Sequence, residues 1–213
     1  MQFKDKVILL YMYFDIGANI GRWSLANINS TNKIISVEAI PTTFNKLKKN
    51  TVNNNIECLN YAVCNNNGND ITFYSCDADV LSTLNKEWLT NETSRFYGFK
   101  YTEIICPTIT IDNLIKIYGK PDLIKIDVEG GEYECILSLT QKIDMLCFEW
   151  ASEVNDITYK VLDYLLTLGY TEFYVQNEDS YSFRPSKYND INYVREQLSK
   201  TVPKQDWGMI WCK

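Results

Sequence analysis

Two carboxylates and a glycine pair follow an apolar run in Leu123-Ile-Lys-Ile-Asp-Val-Glu-Gly-Gly-Glu132. Alternation along an extended strand sends Asp127 and Glu129 to one side, where paired acids can share a role and one can have its pKa raised. Either can take a proton from an acceptor hydroxyl. The 213 residues contain no histidine, which removes Ser-His-Asp and Cys-His machinery and the usual general base together. Proton transfer therefore falls to Asp, Glu, Lys, Tyr or Cys. The plainer alternatives are that Asp127 only steadies a ligand's ammonium group and that Glu132 is a first-turn acid favoured by the helix dipole. The plain reading is preferred for Glu132, the chemical one for Asp127 and Glu129.

A second motif, Asp15-Ile-Gly-Ala-Asn-Ile-Gly21, lies between a buried run and a helical pattern. Gly17 and Gly21 permit torsions and close approaches that a side chain would block, and Asp15 stands at the strand end. A dinucleotide loop would read Gly-x-Gly-x-x-Gly, its middle glycine letting pyrophosphate reach the helix N-terminus. Asn19 occupies that position. The loop is better suited to a cofactor without phosphates, and its geometry can cradle the amino-acid end of S-adenosylmethionine (SAM). The alternative is an ordinary tight strand-helix turn. Glu38, in Ser36-Val-Glu-Ala-Ile-Pro41, comes about twenty residues later, where an acid commonly receives ribose hydroxyls. Ala39 is grouped with it. Ala62 is small enough for an adenine to lie against backbone, and equally suits a core position.

Glu149 and Trp150 end a later strand on the same sheet edge and are candidates for acceptor contact, a structural Trp being the alternative. Ser82 and Thr83 are possible hydrogen-bond donors near the cofactor or simply helix-cap residues. Tyr97, Phe99, Tyr101 and Trp150 can form a stacking surface for a sugar ring, or belong to the core. The seven cysteines are scattered without a CxxC pair, so they read as reduced thiols rather than a zinc site. No metal is expected, although the acidic group leaves a bound cation open.

The elements that must position these residues alternate. Val7 to Ile16 is a buried strand, Ile20 to Ile28 helical, Lys33 to Val37 a strand, and Pro41 opens a helix running to Val52. Ile56 to Val63 and Asp70 to Ser75 are strands that can pair as a hairpin across the Gly68 turn. Residues 77–102 are irregular and long enough to cover a site. The alternation resumes with strand 103–109, helix 110–118, strand 123–127, helix 132–139, strand 145–149, helix 158–168, and strands 170–176 and 208–212. The pattern predicts one α/β domain over 1–213, with a Rossmann-like, mostly parallel seven-stranded sheet and helices on both faces. The motif-bearing core spans about 7–150. In such sheets ligands bind at the strands' carboxyl ends, where strand order reverses.

A hydrophobic content of 46% and a net charge of −6 suit one sizeable core and disfavour a phosphate-tracking nucleic-acid binder. A small or neutral partner fits better. No run approaches the roughly 18 apolar residues of a membrane span, and the chain reads as soluble and cytoplasmic.

Four segments in this order resemble the FkbM family of SAM-dependent methyltransferases: Phe14 to Gly21, Val37 to Pro41, Ala62 to Phe73 around Gly68, and Leu123 to Glu132. The resemblance covers roughly residues 13–150. It implies methyl transfer, mainly to hydroxyls of sugars and polyketides, hence an O-methyltransferase with a small-molecule or glycan acceptor. It further implies that Asp15, Gly17, Asn19 and Gly21 line the methionine end, Glu38 the ribose, and Asp127 and Glu129 the reaction centre. Two features depart from the family pattern. Similar proteins carry a helix upstream of the first strand, so pocket closure is expected from residues 77–102 or from a partner subunit in a homo-oligomer. They also often have a histidine near Glu149-Trp150-Ala151. The competing readings are a nucleotide-sugar or dinucleotide enzyme on the same fold and a non-catalytic SAM-binding protein.

Overall fold

The computed structural model describes residues 11–76 and 82–213. Among these residues, ten strands form two sheets. The larger has the order β3-β2-β1-β7-β8-β10-β9, built from β1 (Met12–Ile16), β2 (Lys33–Val37), β3 (Ile56–Leu59), β7 (Leu123–Ile126), β8 (Met145–Ala151), β9 (Phe173–Asn177) and β10 (Trp207–Cys212). Its first five strands are parallel, and β10 runs antiparallel to both β8 and β9. This is the mostly parallel, Rossmann-like architecture expected. The strands in the middle of the sheet read as continuous apolar runs because both of their faces are covered. Alternate residues feed two cores. Phe14, Ile124, Ile126, Leu146, Phe148 and Ile210 pack on one face, and Leu123, Cys147, Met209 and Trp211 join Trp23 on the other.

The helices form where spacing and caps dictate. The helix α1 (Arg22–Asn27) begins at Gly21, whose φ of 88° lies in the left-handed region, and α2 (Pro41–Asn50) starts with proline in its first turn. Further along, α4 (Ile111–Tyr118) is capped by the Thr110 hydroxyl, which accepts from the Asn113 N–H. After α5 (Glu132–Ile136), α6 (Asn155–Thr167) buries Thr158, Val161, Leu162 and Leu165 along one stripe. Asp190 caps α7 (Ile191–Ser199) by accepting from the Tyr193 N–H. That last helix was not anticipated, although Asp190 is a standard start signal for it.

Two expectations about the middle of the chain are corrected. The segment Ile56 to Val63 is not one strand: after β3 the chain leaves the main sheet, and β4 (Ala62–Val63) joins a second sheet of order β4-β6-β5. The Asn60 amide fixes this departure by donating to the carbonyls of Glu38 and Ala39, both at 2.8 Å. Nor is there a hairpin across Gly68, because β5 (Asp70–Cys76) pairs antiparallel with β6 (Tyr101–Ile109) and β4 pairs parallel with it. Between β5 and β6 lies the short helix α3 (Glu87–Thr90). Residues Val7 to Leu10 of the expected first strand fall outside the described residues. No helix among the described residues is long and apolar enough to cross a membrane.

Strand order reverses between β1 and β7. Asp15 there lies opposite Ser36 on one side and Lys125 on the other.

Candidate active site

Beyond the carboxyl ends of β1, β2, β7 and β8 opens a cavity of about 630 Å³, within the size range of small-molecule sites. Its floor is the glycine loop. Gly17 has a φ of +72°, and a methyl group there would stand 1.7 Å from the Asp127 carbonyl oxygen, so the close approach of β1 to the turn after β7 requires glycine. The N–H groups of Gly17 and Ala18 both donate to the Val37 carbonyl at 3.0 Å. Gly21 does not line the cavity; it packs beside Leu47 of α2 and Thr51 just after it.

Three N–H groups of the loop before α1 are already committed. Asn19 N–H donates to Glu38 Oε2 at 2.9 Å, Ile20 N–H to the Asn19 side-chain oxygen at 2.6 Å, and Gly21 N–H to the Ala18 carbonyl at 2.8 Å. A carboxylate thus sits against the loop at Asn19. Glu38 also accepts from Ile40 N–H at 2.9 Å, and burial pushes its carboxyl up to about 7 against those hydrogen bonds. Ala39 and Ala62 lie beside Glu38 in the wall, together with Val37, Val63 and Phe73. These residues make an apolar slot next to an acid.

Asp15 is fully buried beneath the loop, not on the cavity surface. It accepts from the Ser24 hydroxyl and lies 3.3 Å from Lys125 Nζ. Lys125 is itself buried in β7; it donates to the Gly17 carbonyl at 3.0 Å and pairs with Asp127 at 3.2 Å. Burial alone would lower its pKa, yet Asp127 and Asp15 hold it above the ordinary lysine value. The ammonium therefore ties three parts of the floor together. The sequence reading overlooked it, although a lysine within a four-residue buried strand has to find partners.

Asp127, Glu129 and Glu149 converge, with one carboxylate oxygen from each lying within 4.8 Å of the others. The convergence does not arise from extended alternation, because β7 ends at Ile126. A turn delivers it, with Glu129 in the left-handed region at a φ of 54°, a conformation that costs energy and tends to mark functional sites. Glu132 holds this turn by accepting from the N–H groups of Val128 at 3.1 Å and Gly130 at 3.3 Å. It is scaffold, though through these bonds rather than the dipole alone. Removal from water, then repulsion among the acids, raises Glu129 and Glu149 well above the carboxylate range. Such a group fits a cation. The oxygen-only donor set would suit a hard metal ion as readily as an organic cation, and it is the one such cluster among the described residues.

Trp150 is not at the site. It alternates with Glu149 on β8, is buried in the core, and its indole N–H donates to the Gln176 carbonyl at 3.3 Å. Nor is there a surface made of Tyr97, Phe99 and Tyr101: the first two are largely exposed and the third packs edge-on against Tyr74. From this part of the chain it is Phe96 that enters the wall, beside Arg95. Arg95 grips Glu153 bidentately, with its Nη2–Oε2 bond at 2.7 Å. Ser82 lines the cavity and accepts from the Cys76 N–H at 3.1 Å. Thr83 pairs with Tyr74 as a bridge and caps no helix. Closure thus comes in part from the 82–96 segment, as expected. It also comes from Asp179, Tyr181 and Trp207, which lie beyond any motif.

A family model of the FkbM methyltransferase domain matches residues 15–172. No curated protein sequence matches significantly. Among solved structures the chain is similar to a precorrin-6y C5,15-methyltransferase from Geobacter metallireducens, at 12% identity over 96% of this chain and 80% of that one, with a TM-score of 0.50. It is also similar to a SAM-dependent O-methyltransferase from Thermotoga maritima, at 11% identity over 95% and 58% of the two chains, with a TM-score of 0.45. At these identities the likeness speaks for the fold alone. The family match spans β1 to α6 and with them the loop, the slot beside Glu38 and the acidic turn, so the chain belongs to the FkbM methyltransferase domain family.

Proposed function

We propose that this protein is a SAM-dependent O-methyltransferase acting on a hydroxyl of a sugar, glycan or related neutral acceptor. The carrying observation is the convergence of Asp127, Glu129 and Glu149 on a cavity whose loop N–H groups at Asn19, Ile20 and Gly21 are already bonded within the protein. Such a cavity favours a cofactor that is cationic and free of phosphate. When bound, SAM supplies an electron-poor methyl group on a sulfonium, which is a good leaving group. Glu38 and the alanine-lined slot would hold the adenosine, and the Gly17–Asn19 backbone the methionine end. Asp127, restrained by Lys125, orients the acceptor. Glu129 or Glu149 takes the hydroxyl proton, and their raised pKa values make them stronger bases than ordinary carboxylates.

The acidic lining disfavours anionic acceptors, which argues for an uncharged polyol over a nucleotide sugar. Alignment is the main contribution of the fold to the rate. Screening glycans and small alcohols with labelled SAM tests the reading. The wild type is expected to label at least one acceptor. Whichever of Glu129→Gln and Glu149→Gln removes the base should lose roughly 100-fold or more in turnover while still binding SAM. Unchanged turnover in both variants would refute the base assignment.

A further inference from the structure

The segment after β9 carries a feature that lies outside the family match, which ends at residue 172. It leaves the sheet through Glu178, whose φ of 58° is left-handed and whose N–H donates to the Trp207 carbonyl at 2.8 Å. This turn sends the next residue, Asp179, into the cavity wall. Five residues on, the Arg184 guanidinium stands over three aromatic rings, 5.1 Å from Trp211, 5.6 Å from Trp23 and 5.9 Å from Tyr13. Its Nη2 donates to Asn27 Oδ1 at 2.6 Å. Asn27 is buried, and its amide donates to the Tyr181 carbonyl at 2.8 Å. Both ends of one buried asparagine on α1 are therefore spent on anchoring the segment.

A part-buried arginine set among three rings and hydrogen-bonded to a buried amide is a fixed point rather than a loose surface contact. The Glu178 turn and this anchor leave little freedom to the residues between them. Asp179 is held near Lys125, Asp127 and Asp15, and burial pushes its carboxyl up to about 6 with Lys125 opposing. Lys125 is shared between Asp15, Asp127 and the Gly17 carbonyl. Asp179 makes no hydrogen bond or ion pair of its own with it.

We infer that Asp179 is a cofactor-binding residue that receives the α-ammonium group at the methionine end, and that Arg184 is the positioning residue that holds it there. The position suits that group, since Asp179 lies beside the glycine-loop end of the cavity, and an acid with no cation of its own is completed by a bound ammonium. This inference rests on SAM being the cofactor.

Binding by calorimetry tests it without any acceptor, using S-adenosylhomocysteine, which has the amino-acid part but no sulfonium, and methylthioadenosine, which has neither. Asp179→Asn should weaken S-adenosylhomocysteine about 10-fold or more and leave methylthioadenosine unchanged. Arg184→Ala should reproduce this selective loss, and the double variant should lose no more than the larger of the two. Retained methylthioadenosine binding shows that the variants are folded. Equal losses for both ligands, or no loss for S-adenosylhomocysteine, would overturn the assignment. If the wild type binds neither ligand, the cofactor reading itself fails and takes this inference with it.

Discussion

The floor and the roof of the cavity are held by different physics. The floor, formed by the Gly17 loop and the turn after β7, is fixed by parallel register and backbone hydrogen bonds, with Lys125 bridging its parts at 3.0 to 3.3 Å. The roof, formed by residues 82–96 and 178–184, is pinned by two arginines: Arg95 on Glu153 and Arg184 in its aromatic setting. The floor cannot move without parting two central strands, whereas each part of the roof hangs on the side chain of one arginine. Chemistry that depends on alignment places its acids on the floor.

The sharpest way to break this contrast is at Gly17. Gly17→Ala drives a methyl into the Asp127 carbonyl, and a loss above about 4 kcal/mol is expected, read as absent or unfolded protein. Gly68→Ala, at a similar φ of +77° but with nothing within 4 Å, should cost about 1 kcal/mol for the left-handed backbone alone. On the roof, Arg95→Ala leaves Glu153, whose side chain is 2% exposed, without its partner. A loss of about 2–3 kcal/mol in denaturant unfolding is expected, with the fold intact. Similar losses at Gly17 and Gly68 would remove the distinction.

The smallest effect concerns pH. Glu38 and Glu132 are raised to about 7 and Asp179 to about 6, in each case chiefly by burial. In the native state these acids hold protons that the unfolded chain releases near pH 4. Stability should therefore fall as pH rises from about 5 to 7.5, by on the order of 1–2 kcal/mol. The lowered acids Glu57 and Glu153 act below that window, where their stabilisation is lost as pH drops, so they do not mask the trend. Saturating SAM should flatten the slope, since a cation favours the ionised acids. A flat profile for the free protein, followed by thermal melts, would contradict it.

The same contrast explains what was legible in the sequence. Strand and helix alternation, Gly17 and the 123–132 motif are local signals, and each sits on the floor. Asp15 was legible as important but not in its role, because only the register reveals that it faces Lys125 rather than the cavity. Trp150 and Glu149 could not be assigned to faces until β8 was paired with its neighbours. The split after β3 depends on Asn60 reaching back to Glu38 and Ala39, a long-range bond that no periodicity announces. The roof was least legible: Arg95 meets a partner 58 residues away and Arg184 one 157 residues away. Side-chain anchors of that span leave no pattern in the local sequence.

Calorimetric titration of the wild-type protein with SAM and, separately, with NAD addresses the central claim most directly. With Asn19 and Ile20 N–H groups already bonded and three acids converging beyond them, SAM should bind at one site per chain and NAD should not bind. Binding of NAD in preference to SAM would contradict the reading of the cavity as a phosphate-free, cation-accepting site.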